Sequence, residues 1–510
     1  MSAVGSILTN TGALQALNSI SQTTNNNANL EAQLSSGLSI NSPSNNPAGY
    51  ITAQGFTSQL NGVTQAISNA NQGVSLLQTA QGAITQQIGV VQQLNSIAVQ
   101  AANGTQTSAE AQSLQTVVAQ LTGQVSTIAN QTQFNNINLL NGSFSGVQFQ
   151  VGANEGQIQT LSINNTSAAS IGLNATSTNS SGIYAIGTGK PILNANSAAV
   201  ATATSATIGS GTAGGFTKTA SAAAALKITG PNGGTASVSV TSKQESAATL
   251  ATAINQLSGT TGVQAQASTT ITLGLTFSTG GLVSFTLQAG NGAGSTNSSG
   301  IGTAQTITAS SASEVVSQIN GNSSTSGITA TLNSSKQLVL TQAAGQNINL
   351  TKVTAGSAKT VGASPTTISS GGTASAVFQG QVQFQSSGAF AVANAGSIGL
   401  NTASTLTALS TINVSSVTGA NTAINVVKYA LAALNNQGGQ LGSVQQALQA
   451  NINNLNTTSQ NISTALGVVQ DANIPAVSNQ LTEAQIQAQA GVAALKSSTT
   501  LQQSFLSLLP

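Results

Sequence analysis

The stretch LNGVTQAISNANQGVSLLQTAQGAITQQIGVVQQLNSIA, running from Leu60 to Ala98, decides the fold. Leu60, Ile67, Val74 and Ile88 fall on one seven-residue series, interrupted by Gln81. Val63, Ala70, Leu77, Ile84, Val91 and Ala98 fall on a second, offset by three. Apolar positions at alternating spacings of three and four keep one stripe of a helix facing one partner, so the stretch predicts a long helix in a coiled-coil-like seam. Gln81, on an a position, is expected to set register. Asn46-Pro47 supplies a start, with Asn as N-cap and Pro at the first helical position. Asn103-Gly104 supplies a left-handed stop.

A narrow seam needs a partner, and a matching series stands near the other end: Val427, Leu434, Leu441, Leu448, Leu455, Ile462 and Val469. The two series are expected to pack on each other within the chain. Between them, residues from about 141 to 405 are rich in Gly, Thr, Ser and Val, and alternate as strands do. The chain thus starts and ends in helix around a β-rich insertion. Asn141-Gly142 reads as a hairpin turn between Ile137–Leu140 and Val147–Val151. Pro475 either opens a new helix or kinks an existing one.

The insertion repeats itself. SAATLATAIN at 246–255 returns as SASEVVSQIN at 311–320, 65 residues on (246 to 311), and Leu273 matches Leu338 in the same register. Two copies indicate a duplicated α+β module, at about 226–290 and 291–355, and not a solenoid. The expected fold class is therefore α+β multidomain. Its terminal helices pair as a coiled-coil-like bundle, and its β-rich outer insertion contains two repeated α+β modules. The expected parts are 1–45, 46–165, 166–407, 408–474 and 475–510.

Composition removes whole classes of function. Only 3% of the 510 residues are charged, and there is no Cys and no His. Zinc sites and Ser-His or Cys-His nucleophile pairs lack their ligands and bases, so no catalytic, cofactor or metal site is expected. Residues 1–165 carry Glu31, Glu110 and Glu155 and no Lys, whereas 166–419 carry seven Lys against Glu245 and Glu314. No basic cluster is dense enough to hold nucleic acid. No apolar run is long enough for a membrane span, and the first residues lack the cationic start and apolar core of a cleaved signal peptide.

Several motifs carry a family resemblance. Leu34-Ser-Ser-Gly-Leu-Ser-Ile-Asn-Ser42, Asn46-Pro-Ala-Gly49, Ile97–Gly104, Gln133-Phe-Asn-Asn136, Leu139-Leu-Asn-Gly142 and Phe149–Asn154 resemble, in order, the N-terminal signature of bacterial flagellins. Leu441-Gly-Ser-Val-Gln445, Asp471-Ala472, Ala484-Gln-Ile486, Gln489-Ala-Gly491 and Leu506-Ser-Leu-Leu509 resemble the C-terminal one. The resemblance covers roughly 1–160 and 408–510. It implies a structural subunit of the flagellar filament, an extracellular helical homopolymer that serves swimming motility. It also implies export without a cleaved signal peptide, an export chaperone, and filament cap and hook-associated proteins as partners. The hook–filament junction protein of the same family, and a secreted β-rich adhesin, are the alternative readings.

The outermost segments are sparsely apolar and are expected to order against neighbouring subunits. The residues expected in self-assembly are Leu14, Leu17, Leu30, Leu34, Leu38, Ile40, Leu501, Phe505, Leu508 and Leu509. The seam expected within the subunit comprises Leu60, Ile67, Val74, Ile88, Leu434, Leu441, Leu448, Leu455, Ile462 and Val469. Relative to the family, Ser39 stands where Arg is common and Asn45-Asn46 where Asp pairs are common. Assembly is therefore expected to rest on apolar packing and amide hydrogen bonds, and to tolerate acid. Gln92, Gln93 and Leu94 align with the segment contacted by the innate immune receptor for flagellin, and Gln93 replaces an Arg there. Loss of a multi-donor guanidinium predicts weak or no activation. A receptor-reporter assay should show potency well below that of enteric flagellin.

Overall fold

The computed structural model describes residues 10–177, 183–185, 225–238, 246–277, 282–290, 302–355, 357–360, 367–369, 376–378, 380–393 and 403–506. Its long helices are α1 (Thr11–Ser36), α2 (Pro47–Ala101), α3 (Ser108–Gln131), α8 (Val417–Gln470) and α9 (Ile474–Leu506). The chain divides into two compact units, one of 1–79, 145–162 and 440–510, the other of 80–144 and 163–439.

Local chemistry starts the long helices. Asn46 Oδ1 accepts a hydrogen bond from Gly49 N at 3.0 Å, with Pro47 as the first residue of α2. Thr107 and Glu110 close a reciprocal capping box on α3. The far end of α2 differs from expectation. It stops at Ala101, and neither Asn103 nor Gly104 has positive φ. Asn103 N instead donates to Gln100 O at 3.2 Å, tightening the last turn to the 3-10 type.

In the first unit, α2 buries Val63, Ala66, Ala70, Gly73 and Leu77. A Cβ at Gly73 would lie 3.2 Å from Leu448 Cδ1 and 3.6 Å from Phe149 Cδ1, so α8 and a hairpin both close on that glycine. The hairpin is β3 (Val147–Gln150) and β4 (Ile158–Leu161), held also by Asn69 Nδ2 donating to Gln150 O at 3.1 Å. A Cβ at Gly62 would meet Ala153 at 3.1 Å.

In the second unit, the same stripe of α2 continues through Ala80, Ile84, Gln87, Val91, Leu94, Ala98 and Ala101, all buried. The column paired with the Val63 series is thus Ala66, Gly73, Ala80, Gln87, Leu94 and Ala101. Leu60, Ile67, Val74 and Ile88, expected in the seam, are half-buried beside it. The small residues Ala66, Gly73 and Ala80 explain the choice, because they let the partner backbone come close while bulkier side chains flank the contact. The buried polar residue is accordingly Gln87 and not Gln81, which is half-buried. Gln87 Nε2 donates to Val125 O at 3.0 Å and Thr166 O at 3.2 Å, tying α2 to α3 and to the loop after the hairpin. On α8, Leu434, Leu441 and Leu448 are buried, and Leu455, Ile462 and Val469 half-buried.

Asn141-Gly142 forms a turn, with Gly142 at φ 90, but it joins no hairpin. Ile137-Asn138 is β2, paired with β1 (Gln133–Phe134) across Asn135 and Asn136, both at positive φ. A two-residue loop with both φ positive matches the right-handed twist of the strands. That Asn-Asn pair therefore outcompetes Asn-Gly as the hairpin turn.

The insertion lies in the second unit. One five-stranded sheet has the order β11 (Gln305–Ala309), β10 (Val283–Gly290), β14 (Asn347–Ala355), β17 (Ala376–Phe378), β6 (Ile183–Ala185). An eight-stranded sheet runs β12 (Ile328–Leu332), β13 (Leu338–Gln342), β9 (Gln264–Thr276), β18 (Gln381–Ser386), β5 (Gly172–Ser177), β20 (Thr405–Ala408). Strands β15 (Ser357–Thr360) and β16 (Thr367–Ser369) join it at β9. A smaller sheet holds β19 (Ala391–Ala393), β7 (Leu226–Thr229) and β8 (Thr235–Val238).

The duplication is visible at the level of single hydrogen bonds. Ser246 caps α4 (Ala247–Gln256) as Ser311 caps α6 (Ala312–Gly321), each accepting at 3.3 Å from the residue three on. One-turn helices follow, α5 (Ser258–Thr261) and α7 (Ser323–Ser326), ended by Gly262 and Gly327 at φ 66 and 70. Each copy has its own core, around Leu250, Ile254 and Phe384 in the first and Phe285, Val315 and Leu340 in the second. Strand β10 falls within the first repeat as read from sequence, but Val283, Phe285 and Leu287 pack in the second core.

The copies diverge at one place. In the second, Asn333 Oδ1 accepts from Ser335 N and Gln337 N, Lys336 takes φ 59, and the chain turns back from β12 into β13. The matching residues of the first copy, Ser268-Thr-Thr-Ile-Thr272, are β-branched in four of five positions and run straight on as β9. Leu273 and Leu338, matched in sequence, consequently face each other as cross-strand partners.

Among the described residues, two carboxylates are held by hydrogen bonds at helix starts. Hydrogen bonds from Thr107 hold Glu110 below the usual carboxylate range, and hydrogen bonds from Ser310 do the same for Glu314. A depressed folded pKa contributes stability above the unfolded value, lost as pH falls through the folded one. With no His in the chain, no side chain ordinarily titrates between pH 5 and 8. The melting temperature should stay level from pH 8 to about 5 and fall only as these caps are protonated at more acid pH. Thermal scans by circular dichroism across that range check this.

Candidate self-assembly surface

Helices α1 and α9 belong to the first unit and pair antiparallel. Gly37 ends α1 in the left-handed conformation at φ 74, its N–H donating to Gln33 O at 2.9 Å. The chain then forms a clasp with the α8–α9 junction. Leu38 bridges Asp471, Ser39 N donates to Gln470 O at 2.7 Å, and Ala472 N donates to Gly37 O at 2.9 Å. At the far end Asn10 caps α1 and its Oδ1 accepts from Ser498 Oγ at 3.1 Å. Pro475 is the second residue of a new helix capped by Asn473, whose Oδ1 accepts from Ala476 N at 3.3 Å. An orphan N–H position tolerates proline, so α8 ends at Gln470 and Pro475 falls in the first turn of α9.

The facing stripe of α9 is Val477, Leu481, Ala484, Ala488, Gly491, Leu495 and Ser498, spaced alternately by four and three. On α1 it is Ala13, Ala16, Ile20, Thr23, Asn27 and Leu30. Small residues bring the helices together: a Cβ at Gly491 would lie 2.9 Å from Ile20 Cγ1. The enclosed core of the pair is thin, with Leu30, Val477 and Ala484 buried and Ala472 and Leu481 against them.

The residues expected in self-assembly therefore separate. Leu14 is 61% exposed, Leu17 52% and Leu501 57%, all off the facing stripe, and Leu34 stands at the exposed limit. Ile486 and Val492 add exposed apolar surface on α9 that sequence reading passed over; their offset from the 477–498 heptad was the available signal. Leu30 and Ile40, expected in the same contacts, are by contrast buried within the chain. Leu30 sits in the helix pair. Ile40 covers Gly49, where a Cβ would lie 2.5 Å from its Cδ1. Leu38 is half-buried in the clasp. The Phe505 side chain, Leu508 and Leu509 lie outside the described residues.

In the second unit, Gln92 and Gln93 are exposed on α2, but Leu94 is fully buried in the helix core. Of the three residues expected to face the receptor, Leu94 thus packs inward while the two glutamines are exposed. Among the described residues no cluster of His, Cys, Asp or Glu could hold a metal ion, and no helix is long and apolar enough to cross a membrane.

Helices from the two termini thus pair in the first unit, and the β-rich insertion between them in sequence belongs to the second. The sequence matches family models described as the bacterial flagellin N-terminal helical region over 7–145, the bacterial flagellin C-terminal helical region over 424–509, and the flagellin hook IN motif over 284–344. It is 30% identical over 521 residues to the B-type flagellin of Pseudomonas aeruginosa, across 98% of this chain and 99% of that one. It is 35% identical to flagellin B of Vibrio anguillarum over 159 residues, 31% of this chain and 42% of that one. The solved structure of FliC from Burkholderia pseudomallei is similar at 19% identity, covering 74% of this chain and 99% of that one, with a TM-score of 0.29. The chain belongs to the flagellin family.

The thin core makes the helix pair sensitive to single truncations. Leu30→Ala should cost about 2–4 kcal/mol locally, in the range for a buried leucine. Amide hydrogen exchange should then show loss of protection in α1 and α9 with α3 unaffected, whereas Leu17→Ala should leave exchange unchanged.

Proposed function

We propose that this chain is the repeating subunit of an extracellular flagellar filament, polymerising through the outward faces of α1 and α9. The observation that carries this is the exposure of Leu14, Leu17, Ile486, Val492 and Leu501 on a helix pair with so thin a core of its own. Each large aliphatic side chain contributes about 1.5–3 kcal/mol when taken from water into full burial. Neighbouring copies supply that burial. Contacts between unlike faces that do not close into a ring extend as an open helix. The near full-length match to a B-type flagellin supports the filament subunit over a junction protein.

On this reading the chain acts as a structural protein, without catalytic residues or cofactor. Its partners are further copies of itself, a flagellar export chaperone, and cap and hook-associated proteins. Nucleic acid and membrane insertion have no part in it. The amide- and hydroxyl-rich surfaces carry assembly almost without ions: the 55 residues of α2 include no charged side chain.

Electron microscopy of the purified chain after seeding tests the proposal. The parent should give smooth helical filaments in which it is the major component. Leu17→Ser with Leu501→Ser should abolish them while far-UV circular dichroism keeps the parent's helix content, and deletion of 475–510 should abolish them too. Filaments formed by the deletion variant, or a parent found only at one end of filaments built from another protein, would defeat it.

A further inference from the structure

Among the described residues, the two larger sheets of the insertion end on strands that lack the usual protection. Strand β11, Gln305-Thr-Ile-Thr-Ala309, is the terminal strand of the five-stranded sheet, and β12, Ile328-Thr-Ala-Thr-Leu332, that of the eight-stranded one. Neither carries a charge or a proline. Both are rich in β-branched residues, and open edges of this kind pair with other chains unless something prevents it.

Side-chain amides from α6, the helix that joins these two strands, occupy both edges. Thr308 N donates to Gln318 Oε1 at 3.1 Å while Gln318 Nε2 donates to Thr308 O at 2.7 Å. Ala330 N donates to Asn320 Oδ1 at 2.8 Å while Asn320 Nδ2 donates to Ala330 O at 2.8 Å. In an antiparallel strand the N–H and C=O of one residue point to the same side. The groups held by Gln318 and Asn320 are therefore those facing away from β10 and β13, the ones an added strand would use. Ser326 Oγ also accepts from Ile328 N at 3.2 Å, on the same side of β12 by the two-residue alternation.

The first module repeats the device. Asn255 Oδ1 accepts from Ala265 N at 2.7 Å, and its Nδ2 donates to Ala265 O at 2.9 Å. Ala265 lies on the stretch of β9 just before the ladder with β13, which runs from Thr269 to Leu273. Asn255, Gln318 and Asn320 are each placed at or near the solvent surface, so the edges they occupy would otherwise be open to approach.

We infer that Asn255, Gln318 and Asn320 are edge guards: each amide imitates one residue of a neighbouring strand and so blocks β-pairing of the insertion with a second copy of this chain. Charged side chains commonly do this work. In a chain with 3% charged residues, neutral amides take it over. A second copy is the occupant that is kept out, because its own β11 and β12 are equally uncharged and would meet no electrostatic repulsion.

The test uses the full chain without filament seeds, so its outcome is independent of polymerisation through α1 and α9. Gln318→Ala with Asn320→Ala should raise the weight-average mass in sedimentation by about twofold, a dimer being the smallest product of edge pairing. Adding Thr306→Lys and Thr329→Lys, on exposed positions of β11 and β12, should return the mass to that of the parent without restoring the lost hydrogen bonds. A double variant that melts earlier but stays as dispersed as the parent would overturn the inference, leaving the amides a purely structural part. Association that survives the two lysines would overturn it as well, since it would arise elsewhere. Should the double variant fail to fold by circular dichroism, Asn255→Ala alone decides in the first module, with association supporting the inference and a dispersed chain refuting it.

Discussion

A single close approach underlies the first unit: α8 meets α2 at Gly73, where a Cβ would lie only 3.2 Å from Leu448 Cδ1. The contact exists because the buried column of α2 alternates aliphatic residues with Ala66, Gly73 and Ala80. Close helix packing brings segments hundreds of residues apart into one core, and that is what allows both chain ends to emerge together as α1 and α9. The hairpin β3–β4 seats on the same glycine through Phe149. A side chain at Gly73 would press first on the Leu448 methyl and then on the Phe149 ring.

The scarcity of charge shapes the rest. Where other proteins use ion pairs, this chain uses amides held in fixed geometry: Gln87 across α2 and α3, Asn46 and Asn473 as helix caps, Asn333 in a turn, and Asn320 on a strand edge. An amide offers a donor and an acceptor together, so it can satisfy both groups of one backbone residue. It also does not titrate. The structure is in this sense built from interactions that salt screens little and mild acid does not reach.

The terminal helices show how much of the candidate surface the sequence exposed. Leu14, Leu17 and Leu501 were readable as apolar residues on helices of low hydrophobic content, and they do face outward. Leu30 and Ile40 looked the same in sequence, because a leucine on a helix carries no mark of which neighbour covers it. Only the antiparallel register, fixed by the clasp at Leu38 and Asp471 and by Asn10 against Ser498, set Leu30 opposite Val477 and Ala484. The same limit applied on α2. The Val63 series was legible, but its companion column was not, since Ala66 and Gly73 carry little hydrophobic signal and matter through their smallness.

The sequence by itself determined the order of elements, the helical ends, the duplication from 246 onward, the helix starts at Asn46, Ser246 and Ser311, and the family through motifs at both termini. These depend on local dihedral preferences and short periodicities, which a chain carries wherever it goes. Tertiary structure alone decided which of two seven-residue columns is buried and that Pro475 begins a helix. It also decided that Asn135-Asn136 makes the hairpin and that Ser268–Thr272 runs straight where Asn333–Gln337 turns. Each of those outcomes compares two locally acceptable conformations, and the difference between them lies in contacts with residues far along the chain.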